Sequence, residues 1–246
     1  MDAPQIVELF VEIAAEVRSA IGGVKDWGPS GRREGQYTID VRADEVALRR
    51  LSSAGFGVLS EESGVTDGDR PVLVVVDPID GSTNASAGLP WFATSLCAVD
   101  ADGPLAAVVV NQATGDCWHA IRGQGAFRND RVIRPSTVRR LGNALVAVSG
   151  LPERHLGWKQ FRCYGAAALD LCAVADGTFD AYADLSDDAH GSWDYLGAWL
   201  VLREAGGVVV DRHDRPLVTR NHDDRRTPVA GATEALLGEL RAALDA

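Results

Sequence analysis

An uninterrupted apolar run at residues 72–76 ends on Asp77-Pro78-Ile79-Asp80-Gly81-Ser82-Thr83-Asn84. A short, β-branched run without alternation describes a strand covered on both faces, so the chain must supply a layer on each side of it. Such a strand delivers Asp77 to its carboxyl end, where open α/β sheets place their ligands. Pro78 fixes a turn and removes a donor, and Asp80 brings a second carboxylate close by. The small residues Gly81, Ser82 and Thr83 offer backbone N–H groups to an anion, above all if a helical turn begins there.

Two carboxylates held this close repel unless a cation lies between them. Oxygen-only ligands select hard ions, which makes Mg²⁺ the natural choice, with Mn²⁺ or Ca²⁺ as substitutes. Taken alone, an Asp-rich turn whose carboxylates cap backbone donors explains the same residues. Two further acids bear on that choice. Glu61 ends an apolar run at residues 57–60, while its neighbour Glu62 points elsewhere if the chain stays extended. Asp194 opens a helical pattern at residues 194–205, where Ser192 is placed as a cap and Asp194 complements the helix dipole.

The rest of the chain alternates between the two periods. Helices are expected at 4–21, from Thr38 to Ala54, at 166–175 and at 194–205; strands at 57–60, 72–76, 91–98, 104–111, 116–120, 144–148, 179–184 and 208–210. This order is that of an α/β protein. The polar, Arg-rich residues 128–140 mark the best boundary between two parts, and the charged 211–226 stretch reads as a solvated loop or hairpin.

Thirty-five Asp and Glu against 24 Lys and Arg give a net charge of −11. That excess repels phosphate backbones, so no nucleic-acid polymer is expected as a partner, and a polyanionic substrate would need a neutralising cation. No apolar run is long enough to span a membrane. The start, Met1-Asp2-Ala3-Pro4, lacks the pattern of a secretory signal. Cys97, Cys117, Cys163 and Cys172 show no ligand spacing and read as reduced core residues of a cytoplasmic protein.

Asp77-Pro78-Ile79-Asp80-Gly81-Ser82-Thr83-Asn84, the upstream Glu61-Glu62 and the downstream Trp193-Asp194 together resemble the inositol monophosphatase family of Mg²⁺-dependent, lithium-sensitive phosphatases. The similarity covers most of the chain. Residues 90–96 resemble the strand after the aspartate motif, Gly123-Gln124-Gly125-Ala126-Phe127-Arg128-Asn129 a family turn, and Glu204-Ala205-Gly206-Gly207 a helix ending.

The resemblance implies a layered αβαβα sandwich of the inositol monophosphatase and fructose-1,6-bisphosphatase type, with an α+β part at 1–135 and an α/β part at 136–246. It implies two or three Mg²⁺ ions, replaceable by Mn²⁺ and antagonised by Li⁺, held by Glu61, Asp77, Asp80, Asp194 and the Ile79 carbonyl. Ser82 and Asp40 would position the attacking water, and the Gly81 and Ser82 amides would hold the phosphate. Gly165, Ala167, Asp184 and Asp194 match positions that contact the organic part of the substrate. A homodimer is also implied. The expected activity is hydrolysis of a small polyol or sugar phosphate, with myo-inositol monophosphate as the default. Histidinol phosphate, fructose 1,6-bisphosphate and a 3′-phosphoadenosine nucleotide are alternatives, and a metal- or phosphometabolite-binding regulator is the non-enzymatic one.

Three departures surround this pattern. The spacing near Tyr37-Thr38-Ile39-Asp40 is compressed, leaving Asp40 against Asp44. Leu196 stands where the family commonly has a small residue, which points to the leaving-group pocket, and the 185–192 segment is longer than usual. Among the histidines, only His190 stands near the expected site, three residues before Trp193, and an ordinary loop role is the favoured account of it.

Overall fold

A computed structural model describes residues 1–24, 27–31 and 36–246. The polar, Gly-rich stretch 27–35, which the sequence predicts as the connection between the first two helices, lies partly outside the described residues. Two helices, α1 (Ala3–Gly22) and α2 (Thr38–Ser53), precede β1 (Gly57–Ser60), β2 (Gly64–Thr66) and β3 (Leu73–Asp80). A short α3 (Ser82–Ser86) then leads to β4 (Ala93–Asp100), β5 (Gly103–Asn111), β6 (Cys117–Ile121), β7 (Ala126–Arg128) and β8 (Arg131–Val132). The second half runs β9 (Leu145–Ser149), β10 (Gln160–Arg162), α4 (Ala167–Ala175), β11 (Ala181–Asp184) and α5 (Ser192–Ala205). It closes with β12 (Val208–Asp211), β13 (Pro228–Gly231) and α6 (Glu234–Asp245).

The strands form two sheets, ordered β2-β1-β3-β4-β5-β6-β7-β8 and β10-β9-β11-β13-β12. Alternate residues of β3 go to different cores. Val74 and Val76 join Phe10, Ile13, Ile39 and Leu51 beneath α1 and α2, whereas Leu73 and Val75 join Leu169, Leu171, Leu200 and Val201 of α4 and α5. The expected double coverage is therefore literal, because side chains alternate across a strand. A third core, with Val146, Ala181, Leu236 and Leu240, lies under α6 on the far side of the second sheet. Helix, sheet, helix, sheet, helix is the resulting order of layers, the αβαβα sandwich expected from the sequence.

Several expectations are corrected. Leu196 is fully buried in the core between the sheets and lines no pocket. Its side chain fills the layer because α5 lies close to the first sheet: a β-carbon on Gly197 would stand 2.7 Å from Ser95 Oγ. Ser192 is the first residue of α5, not its cap; Gly191 takes the cap position, and Asp194 Oδ2 accepts from the Gly191 N–H at 2.7 Å. The 211–226 stretch is no free loop, since Asp211 and Leu217 are buried and Arg215 binds both Asp211 and Asp188 at 2.7 Å. Cys97 and Cys172 are core residues as expected, but Cys163 is exposed.

Candidate metal centre and active site

By simple alternation Asp77 and Asp80, three residues apart on one strand, would face opposite sides of the sheet. A bulge prevents this. Asp77 pairs with Ser95 and Asp80 with Ala93, so three steps on β3 match two on β4. The extra residue lies at Pro78-Ile79, where the missing proline N–H costs no ladder bond, and Thr94 Oγ1 donates to the Pro78 carbonyl at 2.8 Å. Both carboxylates consequently arrive at one place.

Asp194 enters the same place from the first turn of α5. Oxygens of Asp77, Asp80 and Asp194 all lie within 4.8 Å of one another. Backbone amides fix the orientation of each: Ile79 N–H donates to Asp77 Oδ1 at 3.0 Å, Ala168 N–H to Asp80 Oδ2 at 2.8 Å, and Gly191 N–H to Asp194. Glu61, at the end of β1, joins them through a side-chain hydrogen bond with Asp77. Glu62 turns the other way and accepts from Gln36 Nε2.

The electrostatics follow from that crowding. Burial, followed by the repulsion of neighbouring acids, pushes the carboxyls of Glu61, Asp77 and Asp80 well above the ordinary range. Such a group of carboxyls either binds protons or surrounds a cation. The donor set is all oxygen, on rigid strand and helix ends, and fits hard divalent ions.

Around this centre, Gly81 adopts φ +85° and caps α3. A β-carbon there would stand 3.1 Å from both Ala166 Cβ and the Trp91 carbonyl oxygen, so the backbone approaches closely. Ser82 opens α3 and is half-buried, and Ile79 is buried in the bulge. Asn84 donates to the Trp91 carbonyl at 2.8 Å and to the Tyr164 carbonyl at 2.6 Å, which holds Gly165 beside the aspartate motif. Ala167 begins α4, whose amino end faces Asp80. Asp40 Oδ2 accepts from Tyr37 N–H at 2.7 Å, and its charge acts on Glu61. Asp44 instead takes the hydroxyls of Ser60 and Ser63, at 2.5 and 3.3 Å.

Comparison with known proteins settles the lineage of this centre. The model of the inositol monophosphatase family matches residues 30–245. The chain belongs to the inositol monophosphatase family. It is 33% identical to the fructose-1,6-bisphosphatase/inositol-1-monophosphatase of Archaeoglobus fulgidus, over 98% of each chain. It is 32% identical to the inositol-1-monophosphatase of Mesorhizobium japonicum, over 84% of each. The crystal structure of the extragenic suppressor protein suhB from Bartonella henselae superposes with a TM-score of 0.83 at 30% identity, again over 98% of each chain. As a family member the protein is a phosphoric monoester hydrolase.

Three features beside the carboxylates have contacts at the site of this phosphatase that its sequence does not show. Asp170, in the first turn of α4, is buried, accepts from Trp91 Nε1 at 2.9 Å and acts on Asp80. Burial raises its carboxyl to about 7. Its placement three residues after Ala167, in a helix otherwise wholly apolar, is the signal that was available. His222, from the 211–226 stretch, bonds the Glu61 carbonyl through Nε2 at 3.2 Å and packs on Trp193, with Arg225 also over that ring. His190 is no ordinary loop residue: Nδ1 lies 3.4 Å from Asp194 Oδ2 and Nε2 lies 3.7 Å from Asp184 Oδ2. Burial would lower its pKa, but Asp194 and then Asp184 raise it to about 9. Asp184 itself, expected to meet substrate hydroxyls, is 0% exposed behind that ring.

Proposed function

We propose that the protein hydrolyses a small polyol or sugar phosphate, with myo-inositol monophosphate as the default substrate. The observation that carries this reading is the convergence of Asp77, Asp80 and Asp194, joined by Glu61, with the carboxyls of Glu61, Asp77 and Asp80 pushed up by burial and mutual repulsion. We assign Glu61, Asp77, Asp80, Asp194 and the Ile79 carbonyl to two or three Mg²⁺ ions. Bound there, the ions would neutralise phosphoryl charge and lower the pKa of a water. Mn²⁺ is a substitute, and Li⁺ is the expected inhibitor.

The chain's own groups would do the rest. The Gly81 and Ser82 amides receive the phosphate, where the positive φ of Gly81 turns the backbone toward the acids. Ser82, with Asp40 rather than Asp44, orients the attacking water; the engagement of Asp44 by Ser60 and Ser63 favours that choice. Gly165 and Ala167 flank the leaving group. In-line attack on phosphorus then needs no covalent intermediate on the enzyme. The name of the Archaeoglobus relative, a fructose-1,6-bisphosphatase/inositol-1-monophosphatase, supports fructose 1,6-bisphosphate as the second candidate.

We also propose a cytoplasmic homodimer. Leu89 and Tyr164 are large apolar residues left exposed, and they line one cavity with Trp91 and Phe179. No helix among the described residues is long and apolar enough to cross a membrane.

The test is phosphate release from inositol phosphate, histidinol phosphate, fructose 1,6-bisphosphate and a 3′-phosphoadenosine nucleotide, each with Mg²⁺, EDTA or added Li⁺. Mg²⁺-dependent turnover of inositol phosphate, suppressed by Li⁺, is expected. Silence across the panel would leave a binding role as the surviving account.

A further inference from the structure

Asp184 lies at the carboxyl end of β11, the middle strand of the second sheet, where open α/β sheets place their ligands. Its side chain is nevertheless completely buried. Oδ1 accepts from Ser186 N–H at 2.9 Å, and Oδ2 has no hydrogen-bond partner among the described residues. What stands before it is the imidazole of His190, with Nε2 also 3.1 Å from the Tyr182 hydroxyl. Both ring nitrogens are thus directed at protein groups, Asp194 on one side and Tyr182 with Asp184 on the other.

The segment that carries His190 is pinned along its length. Asp188 N–H donates to Thr227 Oγ1 at 3.0 Å, and the Asp188 carboxylate binds Arg215. His190 and Arg226 exchange backbone hydrogen bonds at 3.2 and 2.8 Å. Immediately after it, a β-carbon on Gly191 would fall 2.3 Å from the Trp193 ring, so the chain turns into α5 at the one residue type that fits. The long 185–192 connection therefore has a definite product, an imidazole held between two carboxylates.

We propose that His190 is a specificity-determining residue that withholds Asp184 from the leaving group. The inference rests on the phosphatase reading above. With Asp184 covered and the imidazole nitrogens engaged, ring hydroxyls of a substrate meet no carboxylate acceptor on this side. The protein then recognises small phosphate monoesters through the phosphate and the metal centre, and is nearly indifferent to the hydroxyl pattern of the alcohol.

The comparison that isolates this effect is myo-inositol 1-phosphate against cyclohexyl phosphate, the same ring without hydroxyls, with saturating Mg²⁺. For the unmodified protein the ratio of their kcat/KM values stays within about tenfold, less than one charged hydrogen bond would give. His190→Ala raises the ratio about tenfold or more by uncovering Asp184. Asp184→Asn cancels that gain in the His190→Ala background and leaves the ratio of the unmodified protein alone. A ratio also removes any loss common to both esters through Asp194. Thermal melts with Mg²⁺ check folding, and His190→Ser, smaller than imidazole but polar, serves if the alanine variant is unstable. A strong inositol preference in the unmodified protein that Asp184→Asn abolishes would overturn the proposal, as would a folded His190 variant that shifts both esters equally. Absence of Mg²⁺-dependent release from every ester tested would overturn the phosphatase reading and this proposal with it.

Discussion

Asp77, Asp80 and Asp194 each set a carboxylate oxygen on a backbone N–H, from Ile79, Ala168 and Gly191. The capping role and the ligand role are thus compatible, because a carboxylate has two oxygens and the amide fixes the direction of both. Asp80→Asn keeps an acceptor for Ala168 but removes a charge from the centre. Metal-dependent turnover should fall by about two orders of magnitude or more, for a loss of several kcal/mol of charge stabilisation, with little change in Tm. Near-normal turnover in a steady-state assay would sink the metal assignment. Leu196 belongs to the same scale with the opposite outcome. Its burial between α5 and the first sheet makes Leu196→Ala a cavity mutation, costing about 2–5 kcal/mol by urea unfolding. All substrates should be affected alike, and a selective change in substrate preference would return Leu196 to the pocket.

At the scale of elements, two motifs far apart in the chain prove to be one contact. Glu204, near the end of α5, accepts from the N–H groups of Gly123 and Gly125 at 2.9 and 3.0 Å, which joins the turn between β6 and β7 to the central helix layer. Glu204→Ala should cost about 1–3 kcal/mol, since two backbone donors lose a charged acceptor. Guanidinium unfolding would read it, and a loss below the error of the fit would mean that water replaces the carboxylate without cost. Legibility in the sequence follows the same physics. The long apolar strands and periodic helices were legible because one pattern extends over five or more residues, as in β3, β4 and α1. The short strands β2, β7, β8 and β10, at or next to the sheet edges, have two or three residues and no room for a period. The helix α6 did carry a signal, a Thr233 cap followed by Leu236, Leu237 and Leu240, that went unread. Of the centre, the acids were legible as a motif, but the bulge that unites Asp77 with Asp80 was not. A strand's register belongs to its partner as much as to itself. His222 and the contacts of His190 are illegible for a related reason, since each ring acts across a tertiary contact.

For the molecule as a whole, the centre is a concentrated repulsion between two sheets and the helix layer they share. Burial and then mutual repulsion raise the carboxyls of Glu61, Asp77 and Asp80. A raised carboxyl favours the folded state when protonated, so its contribution is complete below the unfolded value near about 4 and is lost as pH rises. Metal-free protein should therefore lose stability from about pH 4 upward. Divalent cations reverse this by binding the folded state alone, by about 2.7 kcal/mol at a hundredfold excess over Kd. Melts in Mg²⁺ and in EDTA between about pH 5 and 8 should show a Tm difference that widens with pH. A difference independent of pH would place the cations elsewhere.

The order of these groups along the chain has a consequence for synthesis. Glu61, Asp77 and Asp80 leave the ribosome early, while the Ala168 amide and the Asp194 carboxylate follow only with the second half. A nascent chain ending before α4 holds mutually repelling acids and no complete cage. Ion capture at the proposed centre would thereby be deferred until both sheets have met, and the cation would arrive as a seal on finished molecules rather than a scaffold for partial ones.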